Sequence, residues 1–251
     1  IPVLNEAGLI NHVVSWHREL FPQAEIIIVD GGSSDDTVKI AREAGTVLIE
    51  TEWGRGTQCN AGVKSACGDI FLFLHCDTYL SADAPKVLKE YFANEKVQIG
   101  TFQLGFDHHQ RLLRFYSFFT RFDSILTRFG DQCIVVRKSF FNTLGGFPDW
   151  PLFEDVHFLR MARRQTKIVS LPATAVTSAR RFQRKGIIRT QLLNGWLIIR
   201  YLLGASPTDL AKQYLNMKDK VPPNNRSASF HQETKQLSRA KHVVTEQQAK
   251  T

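Results

Sequence analysis

Along the first third of the chain, short apolar runs alternate with stretches in which apolar residues recur every three or four positions. Residues 1–4 are mostly apolar, 25–30 (E-I-I-I-V-D) contain a continuous β-branched run, 46–50 read as a third strand and 70–75 (I-F-L-F-L-H) as a fourth. Unbroken runs of this kind mark strands covered on both faces. Between them Leu9, Ile10, Val13, Val14, Leu20 and Phe21 fall at helical spacing, 33–36 offers a capping box for a helix through Glu43, and 55–67 reads as a helix. Strands alternating with helices of this length predict an α/β fold with a parallel, doubly wound sheet.

The pattern then loosens. Residues 98–106 and 132–136 read as strands, 111–129 as an amphipathic aromatic helix and 153–163 as a helix. Two helices close the fold, one over about 185–203 and one starting at Ser206-Pro207, where Ser caps and Pro occupies the first turn. Beyond them the chain turns polar, which predicts a folded domain over 1–219 and a basic tail over 220–251 without fixed structure.

Charge changes this picture more than composition does. With 251 residues, 43% hydrophobic and 22% charged, the chain has ordinary globular proportions, which exclude wholesale disorder, collagen-like repeats and a disulfide-framework miniprotein. The net charge of +8 is unevenly spread: residues 1–179 carry 18 basic and 20 acidic side chains, residues 180–251 carry 14 and 4. A basic last third suits an anionic partner such as a phosphate-bearing ligand, a lipid headgroup or nucleic acid. Cys59, Cys67, Cys76 and Cys133 form neither a C-x-x-C pair nor a disulfide framework, which points to a reducing compartment. No signal peptide is recognised, and the longest apolar stretch, 192–205, is interrupted by Asn194 and Arg200 and is too short to span a bilayer. The expected location is cytoplasmic, with peripheral contact at the inner face of the membrane. Arg111, Arg114, Arg121 and Arg128 interleave with aromatic and aliphatic residues over 111–130. That stretch reads either as a stripe packed on the sheet or as a membrane-interface helix or greasy acceptor groove.

Ligands of open α/β sheets bind beyond the carboxyl ends of the strands. Polar residues gather there: Asn5-Glu6 after the first strand, Asp30-Gly-Gly-Ser-Ser-Asp-Asp-Thr37 after the second, His75-Cys76-Asp77-Thr78 after the fourth. Asp30 can accept from a base N–H or a ribose hydroxyl, and Asp77 can hold a divalent cation on a diphosphate. The run from Asp30 is equally the sequence of a tight turn before a capped helix, and Cys76 reads as a small buried residue.

Several blocks occur in order: Pro2-Val3-Leu4-Asn5-Glu6, Ile27 to Thr37, Arg55 with Gln58 and Asn60, Gly68-Asp69, Leu74 to Thr78, Gly130-Asp131-Gln132, Gly145-Gly146-Phe147-Pro148, Glu154-Asp155 and Thr177 to Phe182. Together, over residues 1 to about 217, they resemble family-2 glycosyltransferases of the GT-A fold, in particular a subgroup of small single-domain members. The resemblance implies a Rossmann-like nucleotide-diphospho-sugar transferase fold with a mostly parallel central sheet, flanking helices and further helices at the C-terminal end. It implies that Pro2, Leu4, Glu6 and Asp30 line the base and ribose pocket, that Arg55 approaches the base or phosphates, and that Gln58 and His75 belong to the donor side. Asp77 would be the metal ligand, Asp155 the general base with Glu154 beside it, and Arg180 and Arg181 the basic motif on the diphosphate. Gly130, Asp131 and Gln132 would lie on the acceptor side.

The implied reaction is inverting transfer from a nucleotide-diphosphate sugar, with a divalent cation (Mn or Mg), to a glycan, lipid-linked or small-molecule acceptor. One position departs from the family: His75 stands where the D-x-D motif has its first Asp. An imidazole there can bond the ribose, coordinate a metal or pack in the core. Two other readings are a sugar nucleotidyltransferase of related layout and a non-catalytic basic module for membrane or nucleic acid. Asn5-Glu6-Ala7-Gly8 lacks the basic, glycine-rich loop of the former, and the strand-end carboxylates would repel nucleic-acid phosphates, so no nucleic-acid partner is expected.

Overall fold

A computed structural model of the chain describes residues 1–107, 132–178 and 187–218, with the side chains of 187–191 and 215–218 excepted. The aromatic helix read at 111–129 and the tail at 220–251 lie outside the described residues. The first half builds as its hydrophobic pattern dictates. Strands β1 (Pro2–Val3), β2 (Ile27–Asp30) and β3 (Val47–Glu50) form a parallel sheet in that order, with Val3 opposite Asp30 and Asp30 opposite Glu50. Helices α1 (Ile10–Leu20), α2 (Thr37–Glu43) and α3 (Arg55–Ser65) make the connections.

The expected fourth strand is present as β4 (Ile70–Phe73), but it pairs antiparallel with β7 (Ile134–Arg137) instead of extending the parallel sheet. With β5 (Thr78–Leu80), β6 (Ile99–Phe106) and β8 (Val169–Thr177) it forms a five-stranded mixed sheet in the order β4-β7-β6-β8-β5. Only the β6–β8 ladder in it is parallel. Helices α4 (Ala84–Phe92), α5 (Lys138–Leu144), α6 (Glu154–Arg163), α7 (Ile187–Leu202) and α8 (Pro207–Lys218) complete the described elements.

The capping box expected at 33–36 does not form. Helix α2 starts at Thr37 without a side-chain cap from Asp36, and the Ser33 hydroxyl donates to the Asp30 carboxylate instead. The geometric reason is that Asp30, ending β2, lies within reach of its own following turn, and its charged oxygen is the stronger acceptor. Strand β8 carries Pro172, which obscures it in the sequence. In the ladder with β6 the register jumps from Phe102↔Leu171 to Gln103↔Thr174, so the proline sits in the irregularity where no ladder donor is needed.

Three apolar clusters hold these layers. One joins α1 (Ile10, Val13, Val14) to Ile28, Phe102 and Leu171. A second is aromatic, with Phe147 and Phe158 ring centroids 4.5 Å apart and Phe141 5.4 Å from Phe158. The third packs Leu197, Ile198 and Tyr201 of α7 and Leu210 of α8 against Phe153 and Val156.

His17 is buried inside the α1 layer, its Nδ1 2.8 Å from the Val13 carbonyl oxygen, and its Nε2 has no hydrogen-bond partner among the described residues. Burial lowers its pKa from 6.5 to about 4. The neutral ring therefore belongs to the folded state, and the charged ring to the unfolded chain in mild acid. Its contribution to stability is intact above pH 6.5 and declines as pH falls from there toward 4. The full loss amounts to about 3 kcal/mol. Urea midpoints measured from pH 7 to pH 4 should fall more steeply for the native chain than for His17→Phe.

Candidate active site

Two loops shape the β1 and β2 strand ends, and their polar residues bind one another. Asn5 N donates to Ser33 Oγ at 2.8 Å, Ser34 N to Asn5 Oδ1 at 2.8 Å and Glu6 N to Thr37 Oγ1 at 2.8 Å. Ala7 N donates to Asp35 Oδ2 at 3.3 Å, while Asp35 Oδ1 accepts from Thr37 N at 3.0 Å. These bonds, foremost that from the Thr37 hydroxyl, hold the Asp35 carboxyl below its ordinary range against the opposing effect of burial, the largest single influence. Asn5 adopts φ 55°, a left-handed conformation that Asn tolerates better than most residues. Asp30 is buried, and its Oδ2 accepts from Gly32 N at 2.9 Å and Ser33 N at 2.8 Å. Leu4, just past the end of β1, is exposed.

Helix α3 reaches under these loops. Gln58 is buried and uses Nε2 to bridge the Val3 and Val29 carbonyls at 2.9 and 2.8 Å, tying α3 to β1 and β2. Asn60 exchanges two bonds with Phe147, Nδ2 to the carbonyl at 2.8 Å and Phe147 N to Oδ1 at 3.0 Å. That exchange fixes the loop after α5, whose C-cap Gly145 is left-handed at φ 80°. The loop in turn delivers the start of α6 to α3.

There the charged residues meet. An open cleft is lined by Pro2, Arg55, His75, Glu154 and Asp155, with Phe73, Ile134 and Phe147 also in its wall. Glu154, 4% exposed, faces Arg55 Nη1 at 3.6 Å, while the arginine side chain remains partly in solvent. Asp155 is half-buried, and its Oδ1 accepts from Val156 N at 2.7 Å. Both acids occupy the first turn of α6, where the helix dipole favours negative charge. The preceding residue, Phe153, is held at φ 65° with its ring 5.0 Å from that of Tyr201. A bulky residue in that region is strained, and its position against the acidic pair marks the turn as one the surrounding packing enforces. Cys59 also lines the cleft, and burial pushes its thiol up to about 12, which keeps it protonated and poorly nucleophilic.

The structure thus brings together Pro2, Arg55, His75, Glu154 and Asp155, which lie far apart in the sequence. It places Asp30 and Gln58 in the loop-and-sheet framework beside them. Asp77 lies at the start of β5, its Oδ1 3.5 Å from Thr78 Oγ1 and 3.4 Å from Thr177 Oγ1 at the end of β8. Gln132 is buried, its Oε1 3.3 Å from Thr101 Oγ1, and it precedes Cys133 at φ 54°. Gly130, Asp131, Arg180 and Arg181 lie outside the described residues. Asn60 and Thr177 stand in the ordered motif blocks without a role, and their supporting contacts, Asn60 to Phe147 and Thr177 to Asp77, appear only in the fold. Gly56 carries no signal in the sequence, yet a Cβ there would stand 2.4 Å from the Pro148 carbonyl oxygen.

Among the described residues, no group of three or more His, Cys, Asp or Glu side chains surrounds a common point. A small divalent cation can also be held by one or two protein carboxylates, with its other ligands drawn from phosphate and water.

A model of "Glycosyl transferase family 2" matches residues 1–165, a span that includes all the cleft-lining residues. A 4,4'-diaponeurosporenoate glycosyltransferase of Staphylococcus aureus (strain USA300) is 26% identical over 152 residues, 57% of this chain and 38% of that protein. The matched part is therefore well under half the length of this curated relative. Among solved structures, a mannosyltransferase from Pyrobaculum calidifontis in complex with GDP-Man and Mn2+ superposes with TM-score 0.60 and 18% identity, covering 99% of this chain and 73% of that one. TarS of S. aureus in complex with UDP-GlcNAc gives TM-score 0.56 and 16% identity over 71% of this chain and 57% of that one. At such identities the likeness is one of fold, and it is the GT-A arrangement of a parallel sheet and a curled mixed sheet. Fold, ordered motif blocks and the match over 1–165 agree, and the chain belongs to glycosyl transferase family 2.

Proposed function

We propose that this chain transfers a glycosyl group from a nucleotide-diphosphate sugar to an acceptor hydroxyl with inversion, and that Asp155 is the general base. The observation that carries this reading is the meeting of half-buried Asp155 with the Arg55–Glu154 pair in one cleft at the strand ends, beside Pro2 and His75. The acceptor oxygen attacks the anomeric carbon while its proton passes to a carboxylate oxygen of Asp155. The bond from that carbon to the diphosphate oxygen breaks, and its electron pair departs with the nucleoside diphosphate.

Pro2, Leu4, Glu6 and Asp30 frame the base and ribose side, with Gln58 supporting them from below. His75 stands beside the ribose or diphosphate as a hydrogen-bonding group. Arg55, fixed by Glu154, sits at the mouth on the donor side. Arg180 and Arg181 take the leaving diphosphate, and Asp131 and Gln132 with Gly130 take the acceptor side. A divalent cation held by Asp77 would neutralise part of the charge that develops on the diphosphate.

The neighbours hold different donors, GDP-Man in one and UDP-GlcNAc in another, so the base is read directly by experiment. Thermal unfolding with UDP, GDP and their sugars, each with and without Mn2+, should single out one nucleotide. Saturation at 100 times Kd adds about 2.7 kcal/mol to stability. Chelation should abolish most turnover and added Mn2+ should restore it. The product anomer, read by NMR, should be inverted relative to the donor. Absence of any nucleotide-dependent stabilisation, or a retained anomer, would overturn the reading.

A further inference from the structure

Helix α7 is apolar on two opposite sides. At 100° per residue, Leu197, Ile198 and Tyr201 point inward, and they are buried against Phe153, Val156 and Leu210. Leu192, Trp196 and Ile199 form a stripe on the outer face, continued by Leu203 just past the helix end, with Leu202 beside it. Their exposures are 70% for Leu192, 41% for Trp196, 55% for Ile199 and 82% for Leu203. A surface helix of a folded domain presents polar residues on its outer side, so a second apolar stripe marks a docking face. No helix among the described residues is long and apolar enough to cross a membrane.

Its occupant follows from charge and from the residues at its edge. Between 180 and 218 the sequence carries eight Lys or Arg and a single acid, Asp209, whereas residues 1–179 are slightly acidic overall. Arg200 flanks the stripe with its guanidinium 5.1 Å from the Trp196 ring centroid and donates to Gln213 Oε1 at 3.1 Å. An aliphatic stripe with one Trp, a basic edge and almost no acid is the composition of a helix lying in a lipid headgroup layer. A protein partner that matched the charge would need an acidic surface around an apolar centre, whereas an anionic bilayer supplies both at once.

We propose that the outer face of α7 docks the protein on an anionic membrane surface, which makes the acceptor a membrane-borne hydroxyl. The acceptor half of this inference rests on the glycosyl-transfer reading, and the docking half does not. The inner face of α7 packs on Phe153 and Val156, the residues on either side of Glu154 and Asp155. Seating the outer face on a bilayer therefore sets the acidic pair about one helix diameter from the headgroups, roughly 10 Å. A hydroxyl carried on a lipid can reach that depth.

The test is co-sedimentation of the full chain with sucrose-loaded vesicles of phosphatidylcholine alone and of phosphatidylcholine mixed with phosphatidylglycerol. The native chain should sediment with the mixed vesicles, less with the neutral ones, and less at high salt. The triple variant L192Q/I199Q/L203Q, changed only at exposed positions, should keep its melting temperature and lose vesicle binding about tenfold or more. Asp155→Asn should sediment like the native chain, so a failure of the transfer reading leaves the docking result readable. Three outcomes overturn the proposal: a native chain that stays in the supernatant with both vesicles, a triple variant that sediments unchanged, or a native dimer in light scattering that the triple variant converts to monomer. The last would assign the stripe to a second copy of the chain.

Discussion

Asp155→Asn should lower turnover by about 10²–10⁴-fold while leaving donor affinity nearly unchanged. The amide has the shape of the carboxylate, and its oxygen can keep the 2.7 Å bond from Val156 N, so the first turn of α6 stays as built. What is lost is the capacity to take a proton at the moment the acceptor oxygen becomes a nucleophile. Losing a charge at a helix N-terminus costs about 0.3–1 kcal/mol, too little to unfold the domain and far too little to explain such a fall in rate. The two measurements to pair are kcat under saturating donor and nucleotide affinity by calorimetry. Full activity in this variant would remove Asp155 from the chemistry, and parallel loss of nucleotide binding would make it a donor-site residue instead.

The second large effect is expected at a residue with no side chain. Gly56 lies in the first turn of α3, and a Cβ there would stand 2.4 Å from the Pro148 carbonyl oxygen and 3.4 Å from Glu154 Cβ. A backbone oxygen cannot swing aside as a side chain can. Gly56→Ala gains about 1 kcal/mol in helix propensity, but overpacking costs about 1–3 kcal/mol, and against a backbone oxygen the upper end applies, which leaves a net loss of about 1–2 kcal/mol. The strain relaxes by pushing the 148–154 segment off α3, which also moves Arg55 relative to Glu154. Activity should therefore fall well below the melting temperature, where most of the protein is folded. The control is Gly195→Ala in α7, where an added Cβ meets nothing within 4 Å. That variant should be neutral or slightly stabilised, and urea midpoints alongside turnover separate the two cases.

Ile27 to Asp30 advertises a strand because a strand with both faces covered admits little but β-branched residues. Val47 to Glu50, an edge strand with Val47 and Glu50 exposed, shows itself only by its β-branched Val47 and Ile49. The helix at Glu154 announces itself by acids in its first turn and by Arg160 and Arg163 in its last. Strand β8 stayed hidden because Pro172 breaks the expected pattern, and only the register jump beside it shows why a proline is tolerated there. Strand β4 was visible, but its partner was not, since an apolar run carries no information about whether its neighbour runs up or down.

The site was legible in residue type and not in role. Asp30, Ser33 and Asp35 are what a ligand-binding loop needs, and equally what a loop needs to bind itself. Gln58 shows the same ambiguity, and its amide protons go to Val3 and Val29. Gly56 is invisible to any reading of chemistry, because its importance lies in the space it leaves.

The latch between the 5–7 and 33–37 loops bears on how a donor would be received. Its hydroxyls, amides and carboxylates are already engaged with each other, and both strand ends are anchored to the sheet beneath. The nucleotide would then enter a socket that is stiff before it arrives, so little chain freedom is given up on association. Interaction energy not consumed in ordering the protein remains available where bonds are made and broken, at the sugar.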